Sequence, residues 1–245
     1  MNRFFLPENQ IKDQQVEFPP DIAHQILHVL RLGERDEIEV LDNSGRVYQV
    51  RLRIDAGEDR ILGEIVGTEI EHTEPKVGLT LYFGMTSRDK VEWILQKGTE
   101  IGVSAFFPFV SSRTLVQSTD LSEKKTNRWK RIIREAAEQS RRGRLPVLHH
   151  PLALASCISQ GELKHDLCLI AWEEAGQERK SIRKLLEGFN GSSIALFIGP
   201  EGGFSEDEVQ KAKDAGCQVV SLGPRILRME TAAIVFPAIV LHELE

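Results

Sequence analysis

The chain has 245 residues, of which 41% are hydrophobic and 28% charged, with a formal net charge of −6 and a pI near 5.7. That length and apolar content suit one large domain or two smaller ones. The longest apolar stretches, such as residues 232–241, are too short for a membrane span and contain Pro237, and polar residues soon after Phe4-Phe5 argue against a signal peptide, so a soluble, cytoplasmic protein is expected. Cys157, Cys168 and Cys217 are odd in number and lack paired spacing, which favours reduced thiols over disulfides or a zinc site.

Residues 21–32 read as a helix, in which His24 and His28 stand four apart with no obvious third ligand, so packing or surface roles suit them better than a metal. Three β-type runs follow at residues 37–41, 47–54 and 61–66. Turn signals at Asp42-Asn-Ser-Gly45 and Asp55-Ala-Gly57 separate them, the pattern of a small antiparallel sheet or barrel. After the connector Glu71-His-Thr-Glu-Pro75, strand and helix patterns alternate, and the chain divides most naturally into residues 1–72 and 73–245. Strands are expected at 79–83, 105–110 (interrupted by Pro108), 166–172, 194–198 and 218–222. Helices are expected at 89–101, 127–139, 181–187, 207–215 and 230–244. This rhythm predicts an α/β fold with a mainly parallel sheet covered by helices.

Two glycine-punctuated turns end the last two strands. Gly199-Pro-Glu-Gly-Gly-Phe-Ser205 follows the first, and Ser221-Leu-Gly-Pro-Arg-Ile-Leu-Arg-Met-Glu-Thr231 follows the second. Ligands of open α/β sheets collect beyond the carboxyl ends of strands, so the turns make a candidate ligand cradle. Gly199, Gly202 and Gly203 allow close backbone approach, while Pro200 and Pro224 stiffen the loops. Shape alone suits two ordinary connections equally well. The chain has no Gly-x-x-x-x-Gly-Lys-Ser/Thr, and no Gly-x-Gly-x-x-Gly follows an expected strand, so neither a P-loop NTPase nor an ordinary dinucleotide-binding or Rossmann methyltransferase fold is supported.

Charge is unevenly spread. Residues 1–72 hold eight Lys/Arg against fifteen Asp/Glu, whereas residues 124–144 hold nine basic residues against two acidic ones. Arg128, Lys130, Arg131, Arg134, Arg141, Arg142 and Arg144 are there to neutralise phosphates, with Trp129 available for packing or stacking. Trp129, Ile132, Ile133 and Ala136 also follow helical spacing, which equally describes an amphipathic helix with a solvated basic face.

The two glycine turns, with Glu208 after the first and Ala232-Ala233 after the second, resemble the RsmE family of small-subunit ribosomal RNA uridine methyltransferases, in the SPOUT superfamily. Met1-Asn-Arg-Phe-Phe5, Gln96-Lys-Gly-Thr-Glu-Ile-Gly-Val103 and Glu135-Ala-Ala-Glu-Gln-Ser-Arg-Arg-Gly-Arg-Leu-Pro146 are similar to further family motifs, so the match runs from end to end. Departures are Arg35, where the family usually has glycine, Ser87-Arg88 in place of Lys-Gly, and Pro237, which suggests a kink or end in the last helix.

The resemblance implies a SPOUT-type knotted α/β methyltransferase domain preceded by a small PUA-like β-barrel domain that binds RNA. It implies S-adenosylmethionine as cofactor, N3 of a uridine in 16S ribosomal RNA or the small ribosomal subunit as target, and a homodimer to which Ala232, Ala233 and following apolar residues contribute a face, unless they fill the monomer core. Carried over by motif, the cofactor contacts are Gly199, Glu201, Gly202, Gly203, Leu222, Gly223, Ile226, Leu227, Arg228 and Thr231. Arg3, Arg31, Lys97, Glu100, Arg134, Gln139, Arg141 and Arg142 fall on the RNA side or its supporting shell. Uracil N3 carries a proton, so the reaction needs a base and a stabiliser for the anion. Glu230 is the leading candidate base and Arg228 the stabiliser. Glu201 is the second carboxylate, and Arg228 equally suits a cofactor carboxylate or an RNA phosphate. No metal is expected. The alternatives are a knotted methyltransferase for another RNA position and a noncatalytic RNA-binding assembly factor.

Overall fold

Period-two alternation in the first part of the chain becomes one mixed sheet in the computed structural model, which describes residues 1–55, 60–159, 165–174 and 180–245. The turn signal Asp55-Ala-Gly57 lies outside the described residues beyond Asp55. The strands are β1 (Arg3–Phe5), β2 (Ile11–Lys12), β3 (Gln15–Glu17), β4 (Glu37–Leu41), β5 (Arg46–Asp55) and β6 (Arg60–Ile70), ordered β1-β4-β5-β6-β3-β2. All pairs are antiparallel except β1 with β4. β1 to β3 went unpredicted because runs of two or three residues carry no readable period. Helix α1 (Pro20–His24) continues as a π-helical turn over Gln25–Val29, and Ile22 and Ile26 pack with Phe4, Ile38, Val50 and Leu52.

This sheet belongs to a compact unit made of Met1–Glu74 and Ala137–Leu145. Ala137 and Leu145 pack with Phe5, Leu41 and Val47, and Glu138 accepts the Phe5 amide at 3.2 Å. Arg35 sits at φ +73°, in the left-handed region, where the resembled family has glycine.

The second unit comprises Pro75–Ala136 and Pro146–Glu245. Its strands are β7 (Gly78–Gly84), β8 (Ala105–Val110), β9 (Val147–Leu148), β10 (Leu152–Ala153), β11 (Leu167–Ala171), β12 (Ser193–Ile198) and β13 (Gln218–Val220). They form a parallel sheet ordered β10-β8-β7-β12-β11-β13, with β9 also on β8. The helices are α2 (Arg88–Ile101), α3 (Glu123–Gln139), which begins in this unit, α4 (Leu154–Ser159), α5 (Ile182–Leu186), α6 (Glu206–Asp214) and α7 (Met229–Leu244). Both sheet faces are covered, which is why the strands read as unbroken apolar runs. Leu79, Leu81 and Phe83 join residues of α2, α3 and α7 in one core, and Tyr82, Phe107 and Phe197 join those of α4 and α6 in the other.

Several expectations are corrected here. Pro108 does not interrupt β8, because the short partners β9 and β10 pair with residues 105–106 and 109–110 and leave a gap beside it. Pro237 does not end α7, inside which it is buried. Where two roles were left open, Trp129 packs and Ala232 and Ala233 fill the core: all three are buried. Cys168 and Cys217 are disulfide-bonded, and Cys157 is a buried thiol outside that bond. Their spacing hides this, since the pair meets one step below the Leu169–Gln218 register of neighbouring strands.

Candidate active site

Parallel strands deliver all their carboxyl ends to one side of the sheet. β12 ends in the Gly199 turn, β13 in the Ser221 turn, β11 in Trp172 and Glu173, and β7 in Thr86 and the start of α2. A cleft of about 440 Å³ opens among them. Of the cofactor residues expected from sequence, it is lined by Gly199, Glu201, Gly203, Leu222, Gly223, Ile226, Leu227 and Arg228, and Glu230 joins them. Gly202 and Thr231 are not among its lining residues. A Cβ on Gly202 would meet the Arg113 carbonyl at 3.1 Å, and Arg113 donates to the carbonyls of Gly202 and Phe204 at 3.2 Å, which anchors the back of the first turn.

Backbone geometry explains the glycines. Gly203 has φ +67°, and a Cβ there would lie 2.8 Å from Glu173 Oε1. Gly223 has φ +115° and open space around its missing side chain. Ser205 caps α6 in a reciprocal capping box with Glu208, fixing where the first turn stops. Burial pushes the Glu208 carboxyl up, but amide hydrogen bonds from Ser205 and Ser112 outweigh it and hold the group below its ordinary range.

Three carboxylates and three cations face this space: Glu173, Glu201, Glu230, Lys90, Arg225 and Arg228. Glu201 accepts a hydrogen bond from Thr86 and another from Lys90 at 3.1 Å. Burial raises its pKa, and those bonds together with its backbone amide bring it below the usual value. Arg225 and Arg228 are exposed, and Ile226 between them is 86% exposed. Sequence reasoning missed Lys90, Trp172 and Glu173. The rule that ligands gather beyond strand ends would have found the last two, since residues 166–172 were read as a strand.

The expected RNA residues fall into two groups. Arg3 is 6% exposed and paired with Glu39 at 3.2 Å and Glu71 at 2.7 Å. Arg142 is 3% exposed, with two nitrogens on the Glu74 carboxylate at 2.7 and 2.9 Å. These two guanidinium groups face carboxylates of their own unit rather than solvent. Arg31, Gln139 and Arg141 are exposed, Arg134 is half-buried, and Lys97 pairs with Glu100 at 2.8 Å while lying 5.4 Å from the Trp93 ring. In the basic run, Arg128 is engaged by Glu92 and Arg131 by Glu135.

The cleft suits S-adenosylmethionine in size and chemistry. Leu222, Ile226 and Leu227 offer apolar cover for an adenine, the glycine turns offer main-chain groups, and the acidic side chains complement a cation.

The model of the RNA methyltransferase domain family matches residues 73–241. Over 96% of its length the chain is 32% identical to ribosomal RNA small subunit methyltransferase E of Bacillus subtilis (strain 168), covering 93% of that relative. The chain belongs to this family. The crystal structure of the Neisseria gonorrhoeae ribosomal RNA small subunit methyltransferase E bound to S-adenosyl methionine superposes with a TM-score of 0.84 at 31% identity, covering 99% of this chain and 97% of that one. A putative methyltransferase from Legionella pneumophila, in complex with the same cofactor, gives a TM-score of 0.83 at 26% identity over 98% and 96% of the two chains.

Proposed function

We propose that the protein methylates N3 of a uridine in 16S ribosomal RNA of the small subunit, with S-adenosylmethionine as methyl donor. The observation that carries this reading is the single cleft on which both glycine turns converge, with Arg228 and Glu230 where the second turn enters α7. S-adenosylmethionine, when bound, supplies an activated methyl on a sulfonium. The chain's own task is then to align the uracil and remove its N3 proton. Glu230, with a side chain 20% exposed beside the cleft, is read as the acceptor of that proton. Arg228, exposed and with no side-chain partner among the described residues, is available for the uracil anion or a flanking phosphate.

The finer features belong to the same proposal. The first unit is read as PUA-like and RNA-binding, residues 73–245 as the knotted methyltransferase domain, and the protein as cytoplasmic. RNA contact is assigned to Arg31, Lys97, Arg134, Gln139 and Arg141, and the buried Arg3 and Arg142 to holding their unit together. No helix among the described residues is long and apolar enough to cross a membrane. A homodimer is supported by α7, where Thr231, Ile234, Val235 and Ala238 form an outward stripe at helical spacing, opposite the buried Ala233, Phe236 and Val240.

The deciding experiment incubates the protein with methyl-labelled S-adenosylmethionine and unmodified small ribosomal subunits, then identifies the labelled nucleoside by mass spectrometry. Labelled 3-methyluridine is expected. Label on a ribose or another base would replace the target, and no label despite demonstrated cofactor and RNA binding would favour the noncatalytic reading.

A further inference from the structure

Lys90 stands in the first turn of α2, with a third of its side chain exposed, and its ammonium meets two carboxylates that arrive from different loops. Nζ lies 3.1 Å from Glu201 Oε1, in the first glycine turn, and 3.4 Å from Glu230 Oε2, at the head of α7. Thr86 holds Glu201 from the end of β7. Glu230 Oε2 is buried and, among the described residues, makes no other polar contact than the one with Lys90, so Lys90 is the charge that balances it there.

We propose that Lys90 is a positioning residue for the methyl transfer: its ammonium bridges the Glu230 carboxylate at the cleft to Glu201, so that both cofactor turns are indexed to one ammonium. This rests on the reading of Glu230 as the base. In the step it serves, the uracil N3–H bond breaks and the proton passes to Glu230, while the N3 electron pair forms the new bond to the methyl carbon as the methyl–sulfur bond breaks, its electron pair staying on the sulfur of the departing S-adenosylhomocysteine. Lys90 stays protonated throughout. Without its charge, Glu230 would face the other carboxylates of the cleft, Glu173 and Glu201, with only Arg225 and Arg228 in compensation, and both of these lie on the exposed second turn. Repulsion among these like charges would turn the Glu230 carboxylate away from its place beside Glu201.

The test compares the parent with Lys90→Met and Lys90→Arg. Single-turnover methylation by Lys90→Met should fall by about tenfold to hundredfold at neutral pH, and Lys90→Arg should restore it to within about threefold of the parent. Cofactor affinity by calorimetry should stay within about threefold in both, a small change on the free-energy scale. An unchanged rate in Lys90→Met overturns the proposal, as does a rate loss explained wholly by weaker cofactor binding. If Lys90→Met does not fold, Lys90→Arg decides, since a rate as low with a cation in this place as without one is incompatible with positioning by charge. Glu230→Gln separates the two layers: full single-turnover rate in that variant removes the base reading itself, whereas an inactive Glu230→Gln beside an unaffected Lys90→Met removes only the role of Lys90.

Discussion

Gly84, at the carboxyl end of β7, lies against the backbone of Pro200, so that a Cβ on residue 84 would come within 2.7 Å of the Pro200 nitrogen and 2.9 Å of its Cα. The obstacle is backbone and cannot rotate away. Gly84→Ala is therefore expected to displace the first glycine turn, lowering stability by about 1–3 kcal/mol, as overpacking does elsewhere. Cofactor affinity should drop with it by about tenfold or more, equivalent to 1.4 kcal/mol or more. Calorimetry and urea melts measure both, and parental affinity in the variant would show that the turn tolerates the shift.

Glu74 gathers four donors: two nitrogens of Arg142 and the amides of Gly143 and Arg144 at 3.0 and 3.2 Å. Glu74→Ala removes the carboxylate shared by the buried Arg142 guanidinium and two backbone amides, and a loss of about 3 kcal/mol is expected in chemical denaturation. Arg142→Gln should likewise reduce stability without changing the salt dependence of RNA binding. Arg134→Gln should lower the salt slope by about one while leaving the melt in place. The reverse pattern would return Arg142 to the RNA face.

Glu92 is held down to about 2, from an ordinary 4.5, chiefly by the hydrogen bond from Arg128, against the opposing effect of burial and with further help from Arg88. A carboxyl whose folded pKa is depressed stabilises the fold above its unfolded pKa and loses that contribution as pH falls through the folded one. Stability should thus decline between pH 4.5 and about 2, and Arg128→Gln should flatten that part of the curve. Urea midpoints across this range, with the Glu92 carboxyl followed by NMR, check it. An unchanged profile in the variant would assign the acid sensitivity to other groups.

Arg35 is held at φ +73° while its amide donates to the Leu52 carbonyl at 3.0 Å, so the conformation is set by the sheet. A side-chain-bearing residue in this region costs about 1 kcal/mol relative to glycine. Arg35→Gly is expected to leave the protein as stable or up to about 1 kcal/mol more stable, and Arg35→Val to destabilise it by at least as much. A melting series of the three proteins checks the order.

Cys168 and Cys217 are joined, whereas Cys157 keeps its thiol. Thiol titration of the denatured, unreduced protein should therefore find one thiol per chain, and three after reduction. Three without reductant would mean that the neighbouring strands carry a dithiol.

Legibility in the sequence followed the range of the interactions. Strands β4, β5, β7 and β12 and helices α2 and α7 were readable within a residue or a few, because each repeats its burial pattern over several residues. The two glycine turns were readable because Gly and Pro state backbone geometry directly. Of the cleft's charged residues, Glu201, Arg228 and Glu230 came from motifs lying in those turns. Lys90 did not, since its role depends on carboxylates that are 111 and 140 positions away.

The sequence by itself determined the order of elements, the positions of the two turns and the candidate residues within them, because periodicity, helix capping and glycine freedom are local properties of the chain. Only the tertiary structure decided which charges are buried in pairs, as with Arg3 on Glu71 and Arg142 on Glu74, across 68 residues in each case. It likewise placed Ala137–Leu145 with the first unit and set Lys90 between Glu201 and Glu230. Such choices are made when distant segments compete for the same water-excluded space, and no local pattern records the outcome.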